Sequence, residues 1–134
     1  MAKIIDVEGI GPIYTQRLAA IGVKTTNKLL KKGATPQGRQ DLAQKTGISE
    51  DLILEWVNHA DLYRIKGVGE EYSDLLEEAG VDTVPELAQR NPENLYAALK
   101  QTNDMKKLVR QLPSQRQVSD WVQQAKGMPR MIHY

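Results

Sequence analysis

A glycine, an apolar residue and a second glycine occur together twice in this chain, at residues 9–11 (GIG) and 67–69 (GVG). Glycine reaches backbone dihedrals that residues with a Cβ adopt poorly, so each triplet suits a tight corner between two short helices. At such a corner the first N–H groups of the following helix lack partners within that helix, and the helix dipole favours an anion. The pattern therefore predicts binding of a phosphate oxygen by backbone amides.

The residues that follow the two triplets differ in charge. Pro12 and Ile13 follow the first triplet, whereas Glu70 and Glu71 follow the second. A proline is harmless at the first helical position, where its missing N–H would have lacked a partner. Two glutamates beside a corner repel a phosphate. We therefore expect the first corner to accept an anion and the second to serve the fold.

The two triplets belong to a longer internal repeat. At an offset of 58 residues the segment 7–30 matches the segment 65–88 at eight identical positions, which begin with the two glycines of each triplet. The match resumes later, where "EWVNHA" (residues 55–60) resembles "DWVQQA" (residues 120–125). A repeat of this kind predicts two similar structural units. We place them at residues 1–60 and 61–134, packed as one compact unit.

The elements that position these corners are predicted to be helices. Apolar residues recur at helical spacing after residue 48 and after residue 118, and no convincing alternating strand pattern is present. The sequence therefore predicts an all-α fold of about ten short helices. The expected helix starts are Thr35-Pro36, Asn91-Pro92, and capping boxes of Thr83 with Glu86 and Ser114 with Gln117; Gly22 and Gly80 are expected in the left-handed conformation after helix ends.

The quoted corners resemble a known motif. "VEGIGPIYTQRLAAIGV" and "IKGVGEEYSDLLEEAGV" resemble helix-hairpin-helix motifs, and nearly the whole chain resembles tandem helix-hairpin-helix domains. In detail the chain is similar to a family of short bacterial proteins known as a domain of unknown function. The resemblance implies an all-helical fold and sequence-independent binding of DNA phosphates through corner amides. It assigns phosphate binding to Gly9, Ile10 and Gly11, while we predict a structural role for Gly67, Val68 and Gly69.

The chain departs from the DNA-binding form of that motif at one position in each copy. The second position after the second glycine commonly holds Lys or Arg in DNA-binding members, whereas this chain has Ile13 and Glu71 there. Neither side chain supplies a cation for the phosphate.

Charge is segregated along the chain although the net charge is only +1. Residues 17–45 carry seven basic residues against one acidic residue, and residues 61–94 carry nine acidic residues against three basic ones. The basic set suits a solvated helix face, DNA phosphate or an acidic protein surface, and the acidic set Glu70, Asp74 and Glu78 suits a solvated face or a basic partner. The residues that we assign to DNA besides the first corner are Arg17, Lys24, Lys28, Lys31 and Lys32.

The remaining residues predict packing rather than chemistry. Tyr14 and Tyr72, like Trp56 and Trp121, occupy equivalent repeat positions, which favours core packing over base stacking. The apolar C-terminal stretch "MPRMIHY" is expected either to dock on the bundle, which we favour, or to seed a dimer.

No pattern indicates catalysis. The chain has no cysteine, its two histidines are distant in sequence, and neither triplet follows a strand. We therefore predict no catalytic residue, no metal site, no cofactor and no membrane span, and a cytoplasmic location. Two functions remain open: a non-catalytic module that binds the DNA backbone, and a protein-interaction or assembly module whose oppositely charged faces meet a partner or a second copy.

Overall fold

The fold is helical throughout the part of the chain that the computed structural model describes, which is residues 3, 4, 7 and 9–134. This part contains no β-strand and only an isolated bridge between Lys3 and Thr25. The all-α prediction is confirmed. The described helices are α1 (Gly11–Ala19), α2 (Thr26–Lys32), α3 (Pro36–Thr46), α4 (Glu50–Leu62), α5 (Glu70–Glu78), α6 (Val84–Ala88), α7 (Pro92–Lys106) and α8 (Gln115–Lys126).

The described residues contain eight α-helices, where about ten were expected. Turns and loops occupy residues 63–69, between α4 and α5, and residues 107–114, between α7 and α8. None of the helices in the described residues is both long and apolar enough to cross a membrane.

The chain divides into two compact units. Unit 1 comprises Met1–Asp61 together with Arg130–Tyr134, and unit 2 comprises Leu62–Pro129. The sequence placed residues 130–134 with the second repeat, whereas their contacts place them in unit 1.

The core of unit 1 is built from the apolar faces of its helices. Leu18 of α1, Leu29 of α2, and Ile53, Trp56 and Val57 of α4 are each no more than 1% exposed. Helices as short as α1 and α2 are marginal alone, so packing of these side chains stabilises them. Local signals define the ends of α3: the Thr35 side chain accepts the Gly38 N–H at the N-terminus, and Gly47 has a φ of 73° at the C-terminus.

Unit 2 packs α8 against α6 and α7, and α5 against α7. The predicted capping box at α8 is confirmed, because the side chains of Ser114 and Gln117 each accept the backbone N–H of the other. The Asn91 cap of α7 is confirmed as well.

The predicted capping box at Thr83 is wrong. The Thr83 hydroxyl donates to Glu86 Oε1 at 3.3 Å, and Glu86 Oε2 accepts the Asp82 N–H, so the threonine oxygen caps no helical N–H. The prediction for the glycines past α1 and α5 is confirmed, since Gly22 and Gly80 have φ values of 86° and 96°.

The C-terminal residues dock on unit 1, as we favoured. The His133 N–H donates to the Ala34 carbonyl at 2.7 Å, and the His133 carbonyl accepts from Arg39 Nη2 at 2.9 Å. The same buried guanidinium donates through Nη1 to the carbonyl of Gly33, which ends α2. The Ile132 side chain is 2% exposed, so the tail contributes apolar packing as well as hydrogen bonds.

Candidate nucleic-acid interface

The first corner combines two left-handed glycines with one buried anchor. Gly9 and Gly11 have φ values of 87° and 68°, and the Ile10 side chain between them is 2% exposed. Positive φ strains residues that carry a Cβ, which explains the two glycines. Helix α1 begins at Gly11, and the N–H groups of its first turn have no acceptor within the helix.

One predicted amide donor is already used. The Ile10 N–H donates to the Val7 carbonyl at 3.2 Å and closes the turn that leads into the corner. Ile10 therefore anchors the corner through its buried side chain and its turn hydrogen bond, while its assignment to phosphate stays a prediction. Gly9 remains exposed and Gly11 half-buried at the surface.

The second corner has the same turn before its helix as the first corner, but its second glycine has a different backbone conformation. The Val68 N–H donates to the Ile65 carbonyl at 3.1 Å, and its side chain is buried. Gly67 has a φ of 99°, close to that of Gly9, whereas Gly69 is extended with a φ of −108° and precedes α5. The exposed Glu70 and Glu71 form the first turn of α5, so carboxylates stand at the helix start, where an anion bound by the first N–H groups of α5 would lie.

An aromatic pair stands against each corner. The ring centroids of Tyr14 and Trp56 are 5.2 Å apart, those of Tyr72 and Trp121 are 5.3 Å apart, and both pairs are tilted by 51°. Both tryptophans are buried, and the Tyr72 hydroxyl donates to the Gln111 carbonyl. The predicted core packing is confirmed for Trp56 and Trp121, whereas Tyr14 and Tyr72 are half-buried beside them.

A shallow depression lies beside the first corner. Its volume is about 410 Å³, and Gly11, Ile13, Tyr14 and Arg17 are among the residues that line it. The Arg17 guanidinium carbon lies 5.8 Å from the centroid of the Tyr14 ring, which suits a cation–π contact. Ile13 is 66% exposed, so an apolar side chain stands beside the start of α1. The depression brings the corner and one of the predicted cations together.

The predicted lysines divide between different places. Lys31 and Lys32, in the last turn of α2, line a second depression of about 240 Å³ with Lys45 of α3. Lys24 and Lys28 are exposed and line neither depression. Sequence reasoning placed Lys28, Lys31 and Lys32 on one helical face but missed Lys45. The signal for it was Gly38, where a Cβ would stand 2.1 Å from the Lys32 carbonyl oxygen, so only glycine lets α3 approach α2 this closely.

The acidic face of α5 carries internal partners. Glu78 forms an ion pair with Lys106 of α7, and Glu70 and Asp74 also engage in interactions within the protein. These contacts offset the like-charge repulsion that the spacing implied.

Comparison with known proteins identifies a family. The family model described as "Domain of unknown function (DUF4332)" matches residues 8–128. The chain belongs to this family. No curated protein and no solved structure matches it. Membership of DUF4332 assigns no activity to the chain. A functional proposal therefore depends on the geometry and charge of the described residues.

Proposed function

We propose that this DUF4332 chain is a non-catalytic tandem helix-hairpin-helix module that binds the DNA backbone without sequence preference. The observation that carries the proposal is the depression at the first corner, where the start of α1 and the Arg17 side chain line one surface. The lysines of α2 add positive charge to the same unit.

Two contributions favour a phosphate group at this depression. The first-turn N–H groups of α1 and its dipole favour a phosphate oxygen near Gly11, and Pro12 removes only an N–H that has no helical acceptor. Arg17 follows Gly11 by six residues on α1, lines the same depression and adds a charge that pairs well with phosphate. Because both contacts are to the backbone of DNA, they position the duplex without reading its bases.

The proposal predicts weak, salt-sensitive binding that depends on Arg17. With about four phosphate contacts, log K should fall with log salt at a slope of about −4. Replacement Arg17→Gln should weaken binding about five- to tenfold and reduce the slope by about 1, because one contact is lost. Fluorescence anisotropy with duplex and single-stranded oligonucleotides at low salt measures both quantities. Triple replacement of Lys28, Lys31 and Lys32 by Glu tests the contribution of α2 in the same assay.

Two further variants sharpen this experiment. Lys100 is exposed on α7 and does not line the depression, so Lys100→Gln removes one positive charge without touching the proposed contacts and should leave affinity nearly unchanged. The converse variant Ile13→Lys adds a cation at the depression and should tighten binding several-fold with a steeper salt slope. Absence of binding at low salt, or equal losses in the Arg17 and Lys100 variants, would contradict the proposal.

A second candidate function follows from the depression between α2 and α3. Three lysines, Lys31, Lys32 and Lys45, line this depression together with one carboxylate, that of Asp41. The apolar residues of the lining are Ile21, Val23 and Leu42. Such a surface suits an acidic protein segment with an apolar anchor, or the acidic face of a second copy. Light scattering at low and high salt tests self-association: a mass that falls as salt rises favours it, and a salt-independent monomer argues against it.

A further inference from the structure

The indole N–H of Trp121 has no hydrogen-bond partner among the described residues. Its side chain is 2% exposed, so a polar donor sits in an almost wholly buried ring. No fully enclosed side-chain nitrogen or oxygen in the described part of the chain lacks a partner. The Nε1 atom must therefore reach the surface, and the surface that Trp121 lines is a depression of unit 2 with a volume of about 330 Å³.

Gly67 keeps this donor accessible. Gly67 lines the same depression, and a Cβ at this position would lie 3.1 Å from Trp121 Nε1. A side chain at position 67 would therefore cover the N–H, whereas glycine leaves an approach to it. Gly67 therefore keeps the Trp121 N–H accessible, in addition to providing the positive φ of the corner.

The charges around the depression favour an anion. Lys66 and Arg116 line it, and neither ends in an ion pair with another described residue. The carboxylate that also lines it, Asp120, accepts a hydrogen bond from Gln124 Nε2 at 2.9 Å. The lining therefore contains two basic residues and one carboxylate, which already accepts a hydrogen bond.

Gln124 also fixes the rim of the depression. Its side-chain amide accepts the Lys66 N–H at 2.9 Å and donates to the Lys66 carbonyl at 3.0 Å. Residue 66 is thereby held against α8, whose N-terminus at Ser114 and Arg116 lines the same surface. The capping box uses the Ser114 and Gln117 N–H groups and leaves the helix dipole to favour negative charge.

We propose that this depression is a phosphate-binding site formed by Trp121 Nε1–H, Arg116 and Lys66. A phosphate group offers several acceptor oxygens and up to two negative charges, which match one neutral donor and two cations. The site lies apart in sequence from the glycine corner of unit 1, so it does not depend on the function proposed above. The phosphate belongs either to a free phosphate ester or to a nucleic-acid backbone.

The indole N–H resonance of Trp121 is a direct reporter of occupancy. In a ¹H–¹⁵N spectrum the two indole signals can be distinguished through contacts of Trp121 with the Tyr72 ring. Titration of the full chain with inorganic phosphate, with sodium chloride holding ionic strength constant, should move the Trp121 signal saturably. Trp56 stands against the first corner, so movement of its signal reports on that corner and not on this site. A Trp121 signal that moves neither here nor with the oligonucleotide described below would overturn the proposal.

Variants connect the signal to the proposed donors. Arg116→Gln and Lys66→Gln should each weaken the phosphate response at least fivefold. Arg110 is an exposed arginine of unit 2 that does not line the depression, so Arg110→Gln is the matched control and should respond like the wild type. An unchanged backbone amide spectrum shows that each variant is folded. Equal responses of the Arg116 and Arg110 variants would contradict the assignment.

A second titration identifies the source of the phosphate. An oligothymidylate without terminal phosphate contains only phosphodiesters. A Trp121 shift at lower concentration with this oligonucleotide than with inorganic phosphate assigns the site to a nucleic-acid backbone. A response to inorganic phosphate alone assigns it to a free phosphate ester, and no response to either refutes the site.

Discussion

Gly67 and Gly69 are two residues apart, yet their backbones differ in kind. Gly67 has a φ of 99°, with Trp121 Nε1 close to the position that a Cβ would occupy. Gly69 has a φ of −108°, and a Cβ there would meet nothing within 4 Å. Only the first of these glycines is required by the backbone and by its surroundings.

This difference predicts opposite results for two identical replacements. Gly67→Ala should lower the free energy of unfolding by about 1–2 kcal/mol, because alanine is strained at positive φ. Gly69→Ala should be neutral or stabilise by up to about 1 kcal/mol, because it restricts the unfolded chain at a compatible site. Urea unfolding of both variants checks the pair. Equal losses would show that the corner tolerates no Cβ at either position.

The sequence predicted single residues well where the signal is local. The caps at Thr35, Asn91 and Ser114 depend on residues within one turn, and all three are present. The Thr83 prediction was wrong because the partner, Glu86, uses both carboxylate oxygens, on the Thr83 hydroxyl and on the Asp82 N–H. The hydrogen bond from the Ile10 N–H to the Val7 carbonyl could not be predicted from the sequence, because it depends on the path of the backbone into the corner.

At the scale of elements, the approach of α3 to α2 depends on Gly38. A Cβ at this position would lie 2.1 Å from the Lys32 carbonyl oxygen, which is a backbone atom and cannot rotate away. The two helices are also tied by buried Arg39, which donates to the Gly33 carbonyl at 2.8 Å. The depression that gathers Lys31, Lys32 and Lys45 exists because these helices are close.

Gly38→Ala should therefore destabilise the protein by about 2 kcal/mol or more, since the helices must separate to admit the methyl group. Gln40 is exposed on the same helix, so Gln40→Ala is the matched control and should change the free energy of unfolding by less than about 0.5 kcal/mol. Thermal and urea unfolding measure both. A Gly38 variant as stable as the control would mean that α2 and α3 are not held this close.

The elements themselves were predictable, but their contacts were not. Helical periodicity identified α4 and α8, and spacing identified a basic face on α2. Lys45 was not assigned to that surface, because a contact between α2 and α3 depends on a glycine whose packing role carries no periodic signal. The sequence pattern therefore did not predict that Lys45 lines the same depression as Lys31 and Lys32.

At the scale of the whole molecule, the C-terminal residues belong to unit 1 and not to the unit that precedes them in the chain. Ile132 is buried, while the His133 side chain is exposed and only its backbone bonds to Ala34 and Arg39. The apolar composition of this stretch indicated docking, but a sequence repeat of two units gave no reason to expect the tail in the first.

The tail should contribute to stability through Ile132. Ile132→Ala should cost about 2–4 kcal/mol, because it removes buried methyl groups and leaves a cavity. His133→Ala keeps both backbone hydrogen bonds and should remain within about 0.5 kcal/mol of the wild type. Hydrogen exchange of the His133 amide, which should accelerate in the Ile132 variant alone, locates the effect. Equal stability of the two variants would contradict docking through this side chain.

The position of the tail makes the two units differ in how they are cut from the chain. Unit 2 is one continuous segment, whereas unit 1 is completed by residues that follow unit 2 in the sequence. The hydrogen bond from Arg39 Nη2 to the His133 carbonyl spans 94 positions. A chain truncated after Pro129 would therefore keep every residue of unit 2 but would leave a buried guanidinium of unit 1 without one acceptor.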